Sequence, residues 1–267
     1  MCLLILSWQP QEKYALVLAA NRDERYDRPT EPFAVLRARR PRTLGGLDLV
    51  GGGTWLGVNE HGVVAGLTNT PSPDGPDPSK RSRGEVPMFL TAHASAEQGV
   101  EAFIKAARPG TYNAARLLVG DRNHLYYLEL DANESPSVHE LAPGLYVLEN
   151  AALGGSSSKA RFVEELLAES TGTADDLWRA LPSVISSHRS LEPMPDEVAQ
   201  AEGRSLWPMT RSPCVHANEY GTRSSTMLRV ASDPDVPIQI VVSDGPPCST
   251  PLRDVTATWT QPVAGTS

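Results

Sequence analysis

A chain of 267 residues is long enough for one large domain or two small ones, and its 40% hydrophobic and 21% charged residues suit a globular protein with a sizeable core. A net charge of −8 argues against nucleic acid as a partner, because such binders carry a basic patch; the one basic cluster, KRSR at 80–83, is too short to reverse that. No stretch approaches the roughly 18 apolar residues of a membrane span, the CLLIL opening is too short for a secretory signal, and three scattered cysteines make neither a disulfide framework nor a CxxC metal site, so the expectation is a cytoplasmic protein.

The first hundred residues read mostly as strands. CLLILSW (2–8) and YALVLAA (14–20) are short apolar runs separated by QPQEK, a hairpin connection. NRDERYDRPT follows, a charged stretch that no sheet interior would hold without reason. GGGTWLGV (51–58) and GVVAGLTN (62–69) form a second pair around a turn at 59–62. TPSPDGPDPSKRSRG (70–84) is rich in Pro, Gly and Ser and reads as a surface loop, with KRSR solvated. Pro87 suits the first turn of a helix. Ser95 and Gln98 resemble a capping box ahead of another, on which Val100, Phe103, Ile104 and Ala107 keep helical spacing. ARLLV and HLYYLEL flank the turn GDRN (120–123), and GLYVLEN (144–150) is a further strand. KARFVEELLAES (159–170) is helical, and a second helix starts near Thr173. Residues 188–213 read as loop, strands return with TMLRVA (226–231) and IQIVVS (238–243), and the tail from about 246 is polar and loose. Packed sheets with helices on their outer faces fit this order.

The chemistry starts at Cys2. Its plain structural reading is a small buried residue opening a strand, yet a chain end that frays is an odd place for one. After removal of Met1, Cys2 would carry both a thiol and a free α-amine, whose ordinary pKa values are about 8.5 and about 8. The amine can then take the thiol proton, which makes a nucleophile with its own base. Such a device needs a carboxylate to hold the amine, a cation to favour the thiolate and donors facing the developing oxyanion. Candidates stand at strand ends: Asp23 in NRDE with Arg22 and Glu24 beside it, Asn69, Asn150, and Arg223 in TRSST (222–226). Taken singly, these read as a surface charge cluster, two turn residues and a loop-bracing arginine. Other chemistries fit less well. Without GxSxG, GGSSSK (154–159) reads as a flexible turn. No nucleotide-binding glycine motif occurs, the six histidines are dispersed without HExxH or a Cys/His quartet, and Cys214 with His216 reads as a coincidental pair. Trp8 and Trp55 suit a pocket wall or the core equally.

Taken together, MCLLILSW, AANRDERYDRPT, GGGTWLGVNEHGVVAGLTN, KRSRGEV, GLYVLEN and YGTRSSTML resemble the NRDE family, the transport-and-Golgi-organisation group. That family looks like a branch of the N-terminal-nucleophile hydrolases with cysteine nucleophiles. The resemblance implies an α+β fold, a four-layered αββα sandwich in a single domain over 1–267, with Cys2 opening a central strand. By analogy with bile salt hydrolases and penicillin V acylases, it implies Cys2 as nucleophile and Asp23 as the carboxylate on the amine. Asn69 would be an oxyanion donor, Asn150 a second asparagine near the nucleophile and Arg223 the cation favouring the thiolate. Those amidases carry an arginine three residues before the aspartate; here that place is Ala20, with Arg22 as a stand-in from the other face of the strand. A shift of one residue in AGLTN would put Thr68, not Asn69, at the oxyanion.

The implied reaction cleaves a linear C–N amide bond of a small-molecule substrate through a thioester at Cys2. Water resolves the thioester, or an amine does, and no metal or organic cofactor is needed. The alternative within the same family is a non-catalytic binding or trafficking protein for haem or lipid. The three cysteines are followed by Leu, Val and Ser, and so lack the Cys-Pro pair that would favour haem. Substrate choice would rest on loops around 30–50, 70–85 and 188–215, and oligomeric state has no signature in the sequence.

Overall fold

Runs that bury both faces and runs that alternate build two antiparallel sheets in the computed structural model, which describes residues 2–9, 11–72, 74–155, 157–168, 172–190 and 211–260. In chain order the elements are β1 (Cys2–Trp8), β2 (Tyr14–Arg25), β3 (Thr30–Arg37), β4 (Thr43–Asp48), β5 (Leu56–Asn59), β6 (Val64–Asn69), α1 (Glu85–Leu90), α2 (Ala96–Ala106), β7 (Ala115–Gly120) and β8 (Leu125–Leu130). After these come β9 (Ser137–Glu140), β10 (Gly144–Leu148), α3 (Ser158–Ala168), α4 (Ala174–Ile185), β11 (Tyr220–Ala231), β12 (Gln239–Ser243) and β13 (Arg253–Asp254). One sheet runs β10-β1-β2-β11-β12-β13, the other β3-β4-β5-β6-β7-β8-β9.

The side-chain alternation of the strands assigns the layers. Leu4, Leu6 and Leu18 from the first sheet meet Leu56, Val58 and Leu118 from the second. Leu3, Ile5 and Val17, on the opposite face, meet Val163 of α3 and Leu181 and Ile185 of α4. Ala65, Leu67 and Leu117 meet Val86 and Leu90 of α1 and Phe103 of α2. The result is the four-layered αββα sandwich. It also explains the unbroken apolar opening, since β1 is covered on both faces and has no polar side. The helix starts are set by their caps: Ser95 Oγ accepts from the Gln98 N–H at 3.2 Å and Thr173 Oγ1 from the Asp176 N–H at 3.2 Å.

Three expectations change. β2 does not stop at Ala20 but carries Asn21–Arg25 on as strand, because the buried Asn21 and Asp23 side chains find hydrogen-bond partners and Arg22 donates to Asp48 through Nη2. The expected substrate loop at 30–50 holds β3 and β4. The tail is anchored as far as Thr260: Val255 is buried, and Trp259 Nε1 donates to the Ile238 carbonyl at 3.1 Å. Residues 261–267 of that tail, and 191–210 of the expected loop, lie outside the described residues. No described helix is long and apolar enough to cross a membrane.

Candidate active site at the start of the first strand

Cys2 pairs with Arg22 across β1 and β2, so the two side chains leave the sheet on the same face, toward the second sheet. On the other side of β1, Leu4 pairs with Leu148; continuing that register sets Asn150 level with Cys2. Cys2 thus stands at the open end of the central strand, between a cation and an amide, on a cavity of about 1560 Å³. Part of its surface opens on that cavity, but the packed walls push the thiol pKa up. The N-terminal amine, the Arg22 guanidinium and the Asp23 backbone N–H pull it down, the Asp23 carboxylate raises it, and burial wins.

Asp23 leaves β2 on the opposite face, toward the helices, and is only 1% exposed. Its Oδ1 accepts from Thr222 Oγ1 at 2.6 Å, and its Oδ2 faces Lys159 Nζ at 3.5 Å. Lys159, in the first turn of α3, is itself only 4% exposed. An ion pair this dry is held in place by its geometry and its hydrogen bonds, because separating either charge from the other leaves an expensive buried ion. Asn21 on the same face has a structural task. Its Nδ2 donates to the carbonyls of Ile185 and Pro213, both at 2.8 Å, and its Oδ1 accepts from Ser225 at 2.6 Å. The NRD triplet therefore ties the sheet to α4, places a cation beside Cys2 and buries a carboxylate.

Arg22 is 3% exposed, with its guanidinium over the Trp55 ring at 4.4 Å from the centroid. Its Nη2 donates to Asp48 Oδ2 at 3.2 Å, and the same oxygen accepts from Arg28 Nε at 2.8 Å. Asp48 Oδ1 takes the backbone N–H groups of Val50 and Gly51. Burial raises the Asp48 carboxyl pKa, but Arg28, the Gly51 N–H and Arg22 together hold it below the usual carboxylate range. Gly53 and Gly84 let two distant segments of backbone approach closely. A Cβ on Gly53 would sit 2.3 Å from the Gly84 carbonyl carbon, and the Thr54 N–H donates to that same carbonyl at 3.0 Å. The loop expected here is solvated at 74–79 and at Arg81, while Lys80 and Arg83 are partly buried, and Lys80, Arg81 and Arg83 line the rim of the cavity. Arg83 stands close enough to Cys2 for a thiolate there to support its charge, and donates to the Ala114 carbonyl at 3.1 Å.

Asn69 and Asn150 both line the cavity and meet each other, Asn150 Nδ2 donating to the Asn69 carbonyl. Arg116 Nη1 donates to the Asn150 carbonyl at 2.9 Å. Asn150 Oδ1 is buried and accepts no hydrogen bond within the described residues. Thr68 is fully buried and does not line the cavity, although alternation puts it on the face of Gly66, which lies against Leu4 of β1. Arg223 is not brought to Cys2. It sits in a bulge of β11 between Thr222 and Ser224, and its Nη1 donates to the carbonyls of Arg25 and Arg28.

The profile of the Transport and Golgi organisation 2 family matches residues 1–239. The chain belongs to that family. The Transport and Golgi organization protein 2 homologs of Bos taurus and Homo sapiens are 32% and 31% identical to it over 255 residues, 87% of this chain and 90% of each relative. Among solved structures, the N-acylethanolamine-hydrolyzing acid amidase ortholog of Caenorhabditis elegans aligns with a TM-score of 0.52 at 14% identity, covering 88% of this chain and 94% of its own. The C2A mutant of the conjugated bile acid hydrolase from Clostridium perfringens gives 0.52 at 12%, covering 96% and 93%. At these identities the likeness shows a shared fold, that of the N-terminal-nucleophile hydrolases.

For this member of the Transport and Golgi organisation 2 family, five of the six residues singled out in the sequence line one cavity: Cys2, Arg22, Asp23, Asn69 and Asn150. Arg223 braces the backbone beside it. Arg83 and Thr222 lie in the KRSR and TRSST stretches but are not singled out within them, and Lys159 has no local signal as a site residue. Lys159 closes a serine run that reads as a turn, and its partner lies 136 positions away.

Proposed function

We propose that the chain is an amidohydrolase with Cys2 as nucleophile once Met1 is removed. The observation that carries this reading is the position of Cys2, at the open end of a central strand, level with Arg22 and Asn150, facing a cavity roomy enough for a small-molecule amide. The fold neighbours named as an acid amidase and a conjugated bile acid hydrolase support it. In the proposed reaction the α-amine of Cys2, held by Asp23, takes the thiol proton, and the sulfur attacks the amide carbonyl. The negative oxygen that forms is met by Asn69 or Asn150. The C–N bond breaks as the ammonium returns the proton to the leaving amine, and a thioester remains on Cys2. Water, activated by the amine, releases the acid; an amine acceptor in its place would give acyl transfer. Arg22 and Arg83 supply the positive field that favours the thiolate, while Arg223 is committed through Nη1 to the Arg25 and Arg28 carbonyls.

Intact-mass measurement before and after a brief exposure to iodoacetamide at neutral pH tests the device itself. We expect a chain lacking Met1 and a single rapid adduct mapping to Cys2. Retained Met1, or Cys2 labelling no faster than Cys248, would sink the reading and leave the binding-protein alternative. With an amide substrate in hand, Asn69→Ala is expected to lower kcat about 10²–10³-fold, as loss of one oxyanion donor does, while Thr68→Val leaves it nearly unchanged. The reverse outcome hands that role to Thr68.

A further inference from the structure

Behind Asp23, away from the cavity, four side chains from three separate segments converge. His188 follows α4, Cys214 and His216 sit on the extended segment leading to β11, and Cys248 sits in the turn after β12. One ligand atom from each lies within 4.8 Å of all the others. His216 Nε2 is 3.1 Å from Cys248 Sγ and 3.8 Å from Cys214 Sγ, and the two imidazole rings are 5.0 Å apart. A tetrahedral zinc with Zn–S near 2.3 Å and Zn–N near 2.0–2.1 Å sets its donors about 3.3–3.8 Å from one another, so the cluster needs only a slight contraction. The set contains no carboxylate, so it is not one of the acidic groupings common on protein surfaces.

We propose that His188, Cys214, His216 and Cys248 form a structural zinc site. Two thiolates and two neutral imidazoles make a soft, charge-balanced donor set for Zn²⁺, with the two cysteine protons released to solvent on binding. The surroundings are already arranged for this. His188 Nδ1 lies 3.2 Å from the Cys214 carbonyl, and an imidazole that donates there through Nδ1–H presents Nε2 with its lone pair to the metal. The Cys214 N–H donates to the Ser187 carbonyl at 2.9 Å, so two of the three segments are registered before any ion arrives. The four-coordinate set leaves no open position, which makes the site a clamp rather than a second catalytic centre.

What the clamp holds is adjacent to the active site. Beside Cys214, the Val215 N–H donates to Thr222 Oγ1 at 2.9 Å, and that hydroxyl donates to Asp23 Oδ1 at 2.6 Å. Zinc at Cys214 therefore fixes the segment that positions the Asp23 carboxylate.

The test uses the full chain, purified under reducing conditions and metal-analysed by mass spectrometry. We expect close to one zinc per chain, and after exchange to Co²⁺ the ligand-field bands of a tetrahedral site with thiolate-to-cobalt charge transfer. His188 and Cys248 are exposed, so His188→Ala and Cys248→Ser should fold. Both are expected to lose at least about 100-fold in Co²⁺ affinity, the upper end of the roughly 10–100-fold that loss of an outer-shell partner alone costs. Removing zinc from the parent should lower its thermal midpoint by at least about 5 °C. Metal content well below one per chain after zinc supplementation, a charge-transfer band that survives Cys248→Ser, or a Cys214–Cys248 disulfide under these conditions would each overturn the proposal.

Discussion

Cys2→Ala is expected to lower amide turnover by at least about 10³-fold, the scale seen when a nucleophile is removed from an acyl-transfer site, while the thermal midpoint stays close to that of the parent. The two halves of this expectation have separate physical causes. Cys2 is the first residue of β1 and only partly buried, on the wall of the cavity, so trading its sulfur for hydrogen opens no sealed core void, and the ladder to β2 is untouched. Chemistry loses its only nucleophile. Thiol titration gives an independent handle on the same device. With Met1 in place, burial holds the Cys2 thiol above its ordinary range, so its alkylation rate should keep climbing as pH rises past about 8.5. After Met1 removal the ammonium sits on Cys2 itself. Coulomb attraction grows as the separation falls, a nearer cation favours the thiolate, and the rate curve should move to lower pH. Full turnover in Cys2→Ala, or identical labelling curves for the two forms, would remove the mechanism.

How much of this was legible beforehand depends on how far away each residue's partner lies. The α2 cap is read directly, since Ser95 and Gln98 are three residues apart and meet as written. The apolar runs of β1, β6 and β7 are equally plain. NRDER is the opposite case. Locally it is a charged break after a strand; in the structure it is strand, because Asn21 is satisfied from α4 and β11, Arg22 from β4 and Trp55, and Asp23 from β11 and α3. Those partners are brought in by topology, and no window of the sequence displays them. β3 and β4 were missed for a similar reason: β3 is an edge strand without a fully buried position, so it lacks clean alternation. The Cys/His quartet was invisible because its spacings, from 188 to 248, follow no metal-site pattern and only the fold closes them. Arg223 likewise takes its place from the fold: it sits at a register shift of β11, and its guanidinium donates to the carbonyls of Arg25, the last residue of β2, and of Arg28 beyond it.

The buried Asp23–Lys159 pair separates stability from catalysis. Lys159→Met leaves the Asp23 carboxylate with Thr222 but without its lysine, in a site where both side chains are almost wholly out of water. Removing one partner of such a pair costs about 3–5 kcal/mol, readable as a drop in the urea midpoint at constant slope. Asp23→Asn strands the lysine instead and should cost a similar amount. The double variant Asp23→Asn/Lys159→Met carries neither charge, so most of that loss should return, with a coupling energy of at least about 1 kcal/mol across the cycle. Activity is expected to follow a different order. Below its melting range Lys159→Met keeps the carboxylate that the proposed mechanism assigns to the amine and should stay within about tenfold of the parent. Asp23→Asn and the double variant should both fall by about 10²-fold or more, the scale of a lost general-base arrangement. A double variant that regains turnover along with stability would make Asp23 a purely structural ion, with Lys159 its counter-charge. Strictly additive stabilities would instead mean that the two charges do not depend on each other in the folded chain. The cycle can distinguish these outcomes because the proposed mechanism gives the same carboxylate two cations: the lysine that pairs with it in the fold, and an amine that would exist on Cys2 only after Met1 has gone.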